Sequence, residues 1–87
     1  MGGKDISLEF SAIPKLHGKD NFWTWRILLH AYLEALGLWH ANQPIESPQA
    51  RYIVLSTVEG RLLEPAYDDQ PCQYIFHNLE DRFGPGS

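Results

Sequence analysis

Residues 13–40 read IPKLHGKDNFWTWRILLHAYLEALGLWH, and this stretch decides the fold that the sequence predicts. All three tryptophans of the chain lie within it. From Phe22 onward, large apolar residues recur at the three- and four-residue spacing that forms one stripe along an α-helix. The stripe consists of Phe22, Trp25, Leu29, Tyr32, Leu33 and Leu36. Because such a stripe must be buried, the sequence predicts a helix from about Asn21 to Leu36.

The two ends of this helix carry recognisable signals. Asp20 precedes it, where a carboxylate can accept hydrogen bonds from the free backbone N–H groups. Gly37 follows the last stripe residue, where a helix often ends in a left-handed conformation. After Gly37, Leu38 and Trp39 are predicted to add one short helical turn.

Two further helices are predicted in the second half of the chain. Ser47 and Pro48 form a strong start signal, because serine caps free N–H groups and proline suits the first helical position. This second helix is predicted over residues 48–63, with a shared apolar face formed by Tyr52, Leu55, Val58 and Leu62 and broadened by Val54. A third helix is predicted over residues 70–82, capped by one of the two aspartates in Asp68-Asp69.

The predicted fold class is all-α: a small bundle of three main helices plus a possible short helical turn, with an extended N-terminal arm. The predicted boundaries are an arm and linker at residues 1–12, the helical lobe at residues 13–84 and a flexible tail at residues 85–87. The predicted core contains Phe22, Trp25, Leu29, Leu33, Trp39, Val58, Leu62, Ile75, Leu79 and Phe83.

Composition and charge exclude several classes of function. The net charge is −4 and the acidic residues concentrate in residues 59–82, so the chain lacks the clustered Lys and Arg of proteins that bind phosphate backbones. No apolar run approaches the roughly 20 residues of a membrane span. The one cysteine excludes an internal disulfide. We expect no direct nucleic-acid binding, no membrane association, and a cytoplasmic or nuclear protein that is not secreted.

The residue types that support catalysis or metal binding are scattered along the chain. They are Cys72, Ser11, Ser47, Ser56, His17, His30, His40 and His77. None stands in a nucleophile elbow, and no histidine pair has the i, i+4 spacing of a helical zinc site. We therefore predict that the protein is not an enzyme and has no catalytic residues, metal or cofactor.

Several short motifs carry a resemblance to a known family. They are the arm 13–16, Gly18, Asn21-Phe22, Trp25-Arg26 and Leu38-Trp39, followed by the spacing of Phe76, Leu79 and Phe83. Together they resemble the opening of the capsid region of Gag polyproteins from Copia-type LTR retrotransposons. Phe22 and Arg26 stand where the family has Tyr and Lys, and Gln73 departs from a small-residue position.

The resemblance implies the N-terminal lobe of a Gag capsid, whose role in the family is self-assembly into a virus-like particle shell. A domesticated host protein derived from such a lobe would instead be an adaptor that binds a partner protein or peptide. The zinc knuckle that such polyproteins can carry needs a CCHC array, and this chain has one cysteine. A helix-turn-helix DNA-binding domain is the rival from another class, and the acidic second half argues against it.

One apolar cluster falls outside the buried stripe. Trp23 lies about 200° around the helix from Trp25, and with Ile27 and His30 it forms a second patch. We predict these residues as an interface with another copy or a host partner, and hence a weak homo-oligomer as one outcome. The alternative is that the N-terminal arm covers the patch through Phe10, Ile13 or Leu16.

Overall fold

The computed structural model describes residues 12–85, which form three α-helices and one small hairpin. The helices are α1 (Phe22–Ala35), α2 (Pro48–Ser56) and α3 (Cys72–Phe83). Between α1 and α2, the strands β1 (Trp39–His40) and β2 (Gln43–Pro44) pair antiparallel. Short 3₁₀ helices occupy Lys19–Asn21, Gly60–Leu62 and Pro65–Asp69. Residues 1–11 of the predicted arm and residues 86–87 of the predicted tail lie outside the described residues.

The prediction of an all-α fold is wrong, because a hairpin stands where the sequence predicted a short helical turn after α1. In this hairpin Trp39 is paired with Pro44. The turn residues Ala41 and Asn42 have φ values of 55° and 68°, and a type I′ turn needs positive φ at both central positions. Neither residue is glycine, so the local sequence lacks the usual signal for this turn.

The C-terminus of α1 is a Schellman motif. Gly37 has a φ of 74°, and its N–H donates to the carbonyl of Glu34 at 3.0 Å while the N–H of Leu38 donates to the carbonyl of Leu33 at 2.7 Å. This pair of hydrogen bonds requires a left-handed residue, which glycine supplies without a Cβ clash. The N-terminus differs from the prediction, because Asp20 belongs to the preceding 3₁₀ helix and no side chain caps α1.

The start of α2 follows the capping signal in the sequence. The Ser47 hydroxyl accepts a hydrogen bond from the N–H of Ala50 at 3.0 Å, and Pro48 takes the first helical position. The buried side of α2 differs from the predicted one. Val54 is buried, as the prediction has it, but Tyr52 is 63% exposed and Ile53, which was not predicted on the buried face, is buried.

The prediction that α2 extends to residue 63 is also wrong, since the helix ends at Ser56, about two turns earlier. At Thr57 the chain leaves the helix and pairs with the segment that precedes α1. The N–H of Leu16 donates to the carbonyl of Thr57 at 2.9 Å, and the N–H of Glu59 donates to the carbonyl of Leu16 at 3.0 Å. These hydrogen bonds replace those of a longer helix, and Gly60 would have weakened the helix further.

Helix α3 begins at Cys72, two residues after the predicted start, because Gln70 precedes a proline and is extended. Its cap comes from a distant residue rather than from the aspartates of the preceding turn. The carboxylate of Glu46 accepts hydrogen bonds from the backbone N–H of Cys72 at 3.0 Å and of Gln73 at 3.3 Å. A loop before α2 therefore fixes the position of α3.

The core joins the three helices with the segment that precedes α1. Its buried apolar residues are Ile13, Leu16, Phe22, Trp25, Leu29, Leu33, Ala50, Ile53, Val54, Val58, Leu62, Tyr67, Cys72, Ile75, Phe76 and Leu79. Trp39 and Phe83 of the predicted core are partly buried against this cluster. Within residues 12–85, none of the helices combines the length and the hydropathy that crossing a bilayer needs.

Candidate protein-contact surface

Helix α1 carries large apolar side chains on the side away from the core. Trp23 is 50% exposed, Ile27 is 59% exposed and Leu28 is 40% exposed, although Trp25 of the same helix is fully buried. Large exposed apolar side chains grouped on one helix mark sites of contact with other molecules more often than isolated ones do. The helix is therefore apolar on two sides, and only one of them is covered.

The rest of this side of α1 is small or neutral. The exposed face of α1 consists of Trp23, Thr24, Ile27, Leu28, Ala31, Glu34 and Ala35. At 3.6 residues per turn these positions fall within an arc of about 140°. Glu34 is the one charged side chain among them. A solvated helix face ordinarily carries many charges, so the composition of this face is closer to that of an interface.

Arg26 fixes the edge of the exposed face next to Trp23. Its guanidinium lies 5.8 Å from the Trp23 ring centroid, donates to the Asn42 side chain at 3.2 Å and forms an ion pair with Glu80 at 3.5 Å. The ring of Phe22 packs edge-on against Trp23 with centroids 5.6 Å apart. These contacts hold the indole in place while leaving half of it exposed.

Two of the three side chains predicted as an interface share the exposed face, and the third lies at its edge. The ring of His30 stacks on that of Trp39, with centroids 4.2 Å apart and an interplanar angle of 19°. His30 Nε2 is also 3.8 Å from the Glu34 carboxylate. The prediction did not include Leu28. On the helix wheel Leu28 lies about 100° from Leu29, which is in the middle of the buried stripe, so its position outside the stripe could have been read from the sequence.

The alternative that the N-terminal arm covers this patch finds no support in the described residues. Ile13 is 6% exposed and Leu16 is fully buried, and both belong to the core. Phe10, the third residue of that alternative, lies outside the described residues. The segment before α1 thus packs inward, and Trp23 and Ile27 stay exposed.

A second surface lies beside α2, where two adjoining depressions of about 380 Å³ and 460 Å³ share Arg51 and Leu55. We call them together the α2 groove. Its lining is completed by Glu46, Ser47, Pro48, Tyr52, Leu63, Glu64, Pro65, Tyr67 and Asp68. Tyr52 and Leu63 are exposed there, at 63% and 38%. The groove is lined by both charges and apolar groups.

Arginine side chains shape the wall of the α2 groove. The guanidinium of Arg51 donates to the backbone carbonyls of Gln70 at 3.0 Å and Tyr67 at 2.7 Å, and also to that of Asp68. Arg82 donates to the carbonyl of Leu62 and to the Tyr67 hydroxyl, each at 2.8 Å. Burial raises the pKa of Tyr67 against the opposing influence of the Arg82 guanidinium. These arginines therefore hold the fold together and are not free to bind phosphate.

Two further titratable groups, Cys72 and Glu46, lie at the start of α3. The thiol of Cys72 is buried with its sulfur 3.5 Å from the Ile45 carbonyl, and burial raises its pKa to about 11. Burial also raises the pKa of the Glu46 carboxyl, but the hydrogen bonds from Cys72 and Gln73 outweigh it and the net pKa lies below the ordinary value of 4.5. Across residues 12–85, no three His, Cys, Asp or Glu side chains are grouped to hold a metal ion.

No protein-family model, curated protein or solved structure matches this chain. The likeness to Copia-type Gag capsids is therefore carried by the short sequence motifs alone. Among the described residues, the exposed face of α1 groups large apolar side chains with one charge, as the buried part of an interface does.

Proposed function

We propose that this domain acts by protein–protein contact through the exposed face of α1, as a self-assembly module. The observation that carries the proposal is the exposure of Trp23 and Ile27 one turn apart on one helix, at 50% and 59%. Aromatic side chains in such positions frequently anchor interfaces, because they bury a large area with few rotatable bonds.

The surroundings of Trp23 support the same function. Its indole is already oriented by Phe22 and Arg26, so binding would cost little additional side-chain entropy. The face also includes Leu28 and the small residues Ala31 and Ala35, and an apolar centre with few charges is typical of the buried middle of an interface. A partner surface would therefore meet a preformed apolar strip.

The resemblance to Copia-type Gag capsid lobes agrees with self-assembly. In that family, lobes contact one another in a particle shell, where many weak contacts act together. On this proposal the protein is either a component of a virus-like particle in the cytoplasm or a derived host protein in the cytoplasm or nucleus. The proposal includes no enzymatic activity.

The proposal can be tested with a photoreactive amino acid at Leu28 in cells that make the protein. We expect protein adducts from this position, and we expect Trp23→Glu to lower their yield by about tenfold, since a charge buried in a contact without a partner is costly. The matched control places the same probe at Tyr52, which is 63% exposed on α2. Trp23→Glu should leave the Tyr52 adducts and the melting temperature unchanged.

Two results would count against the proposal. Equal adduct yields with and without Trp23→Glu would show that the exposed face of α1 does not make the contact. Unfolding of the Trp23→Glu variant would show instead that Trp23 supports the core, contrary to its exposure.

A second candidate function is the binding of a partner peptide in the α2 groove, as an adaptor would do. The groove favours it because exposed Tyr52 and Leu63 stand near the charged side chains of Glu64 and Asp68. A peptide with apolar and basic residues would suit this lining. Tyr52→Glu should abolish such binding and leave the contact through α1 intact. Trp23→Glu should have the opposite effect, so the two variants distinguish the two candidate functions.

DNA binding by a helix-turn-helix is the rival from another class, and the contacts of the arginines argue against it. Each arginine of the chain bonds within the domain: Arg26 and Arg61 contact Glu80 and Glu59, respectively, while Arg51 and Arg82 contact backbone carbonyls. Phosphate recognition needs Lys or Arg groups that can turn toward the backbone of the nucleic acid. An electrophoretic shift of duplex DNA at moderate salt would contradict this view.

A further inference from the structure

We infer that the partner of the exposed face of α1 is a second copy of this chain, packed antiparallel across a two-fold axis that lies on the exposed side of α1, at the level of Leu29 along the helix. This inference rests on the proposed function and names its partner. Two-fold dimers bring the same surface of both copies together, so the surface must be complementary to itself.

The distribution of side-chain size along α1 supplies this complementarity. The first half of the exposed face carries the large residues Trp23 and Ile27, and the second half carries the small residues Ala31 and Ala35. An antiparallel partner reverses the order. In the register that we propose, Trp23 packs on Ala35 of the second copy and Ile27 packs on its Ala31.

A parallel arrangement would place large residues on large and small on small, which leaves gaps at one end. In the antiparallel arrangement the alanines accept the large side chains as ridges fit into grooves, with the helix axes about 8 Å apart. The axis passes close to the middle of α1, whose 14 residues span about 21 Å. Each pair of contacting residues therefore forms twice, once on each side of the axis.

Charge agrees with this register as well. Glu34 lies opposite Thr24 of the second copy, next to the positive end of its α1 dipole. That end carries no side-chain cap of its own, so the carboxylate of Glu34 would stabilise it. A parallel register would instead bring the two Glu34 carboxylates together, with repulsion between like charges.

The area available indicates a weak dimer. Trp23, Ile27 and Leu28 are each only about half exposed, so one helix face offers a few hundred Å² per copy, compared with about 800 Å² per partner in stable interfaces. We expect a dissociation constant of about 0.1–1 mM, in the range of transient contacts. Such a contact becomes effective where many copies are gathered.

Exchange of the paired side chains tests the register. Sedimentation velocity over about 0.02–2 mM should show a monomer–dimer equilibrium for the parent chain. Ile27→Ala should weaken the dimer about fivefold by removing the large residue, and Ala31→Ile should weaken it similarly by filling the space that Ile27 of the second copy occupies. The double variant Ile27→Ala with Ala31→Ile should recover the parent affinity to within about twofold, because it exchanges large and small across the axis.

The control is Tyr52→Ala, which changes an exposed aromatic side chain on α2 and should leave the dimer unaltered. Circular dichroism on each variant verifies that the helices are intact. Weakening by each single variant together with recovery by the double variant supports the antiparallel register, because a parallel arrangement predicts that Ala31→Ile adds apolar contact and does not weaken the dimer.

The failures of the two proposals are distinguishable. If Trp23→Glu lowers the photo-adduct yield but the parent chain stays monomeric up to about 2 mM, self-assembly and the antiparallel pairing are both excluded, and the exposed face of α1 is the contact surface for a different protein. If a dimer forms and the single variants weaken it without recovery in the double variant, the register is wrong. If none of the α1 variants affects the dimer, the dimer uses another surface and both proposals fall.

Discussion

Helix α1 and the connection between α2 and α3, residues 57–71, are held in place by different forces. Trp25, Leu29 and Leu33 bury one side of α1 completely. The connection contributes Val58, Leu62 and Tyr67 to the core, but its short 3₁₀ helices are held in addition by hydrogen bonds from arginine side chains to backbone carbonyls. The apolar region follows from spacing along the chain, whereas the polar region depends on residues that are distant in sequence.

This difference shows which parts of a small domain tolerate change. An apolar stripe loses stability in proportion to the area and cavity that a substitution creates. A segment held by polar contacts is destabilised when one donor that binds several carbonyls is removed. Each carbonyl left without a hydrogen bond then lowers the free energy of unfolding. Substitutions in α1 and in the connection should therefore lower the free energy of unfolding by different amounts.

Trp25→Ala should lower the free energy of unfolding by about 3–5 kcal/mol. The change opens a cavity in the core and removes the hydrogen bond from the indole Nε1 to the Thr57 hydroxyl at 3.0 Å. Because that bond joins α1 to the start of the connection, both regions are affected. Thermal and urea denaturation measure the loss.

The matched control for Trp25→Ala is Trp23→Ala, two residues away on the same helix and half exposed. It should change stability by less than about 1 kcal/mol, as surface substitutions do. Similar losses for the two tryptophans would mean that the buried and exposed sides of α1 are wrongly assigned.

Arg51→Lys should destabilise the domain by about 2 kcal/mol, although it keeps the charge. The guanidinium donates to the carbonyls of Gln70 and Tyr67 from two different nitrogens, Nε and Nη2, and the single nitrogen of lysine lacks this planar fork. Arg61→Lys is the control. Arg61 pairs with Glu59 at 2.9 Å and donates to a single backbone carbonyl, that of His17, at 2.8 Å. Both contacts are exposed, so the variant should lose less than about 1 kcal/mol. Equal effects in chemical denaturation would remove the distinction between a structural and a surface arginine.

Glu46→Gln should cost about 1 kcal/mol at neutral pH, in the range of a lost helix cap. The folded state lowers the net pKa of Glu46 below 4.5, so its contribution is present above that value and is lost as the pH falls through the folded pKa. The difference in stability between parent and variant should therefore shrink toward acidic pH. Urea denaturation at a series of pH values measures it.

Amide hydrogen exchange supplies a local check on the same variant. The N–H groups of Cys72 and Gln73, which Glu46 caps, should exchange faster in Glu46→Gln. The N–H of Ala50, which Ser47 caps, is the internal control and should be unchanged. A difference in stability that does not shrink as the pH falls below 4.5 would contradict the assigned role of Glu46.

The features of the fold that sequence could predict are local ones. The stripe on α1, the left-handed Gly37 and the Ser47-Pro48 start of α2 each depend on neighbouring residues. The early end of α2 could not be predicted, because it results from pairing with Leu16, which is distant in sequence. The hairpin was hidden because Ala41 replaces the glycine or asparagine that usually marks its turn.

The candidate site was partly accessible for the same reason. Helix periodicity alone places Trp23 and Ile27 outside the buried stripe. It does not reveal that His30 stacks on Trp39, since that contact depends on the hairpin. The size gradient from Trp23 to Ala35 is visible in the sequence, but it acquires meaning only when the exposed face of α1 is known.

The buried Cys72 provides this domain with a built-in reporter of its own opening. With a thiol pKa of about 11, only about one molecule in ten thousand carries a thiolate there at neutral pH. The sulfur also lies under the loop that includes Ile45 and Glu46. An alkylating reagent must therefore wait until the start of α3 separates from that loop. The rate of labelling of this single thiol thus measures how often α3 detaches in the native protein, without any added probe.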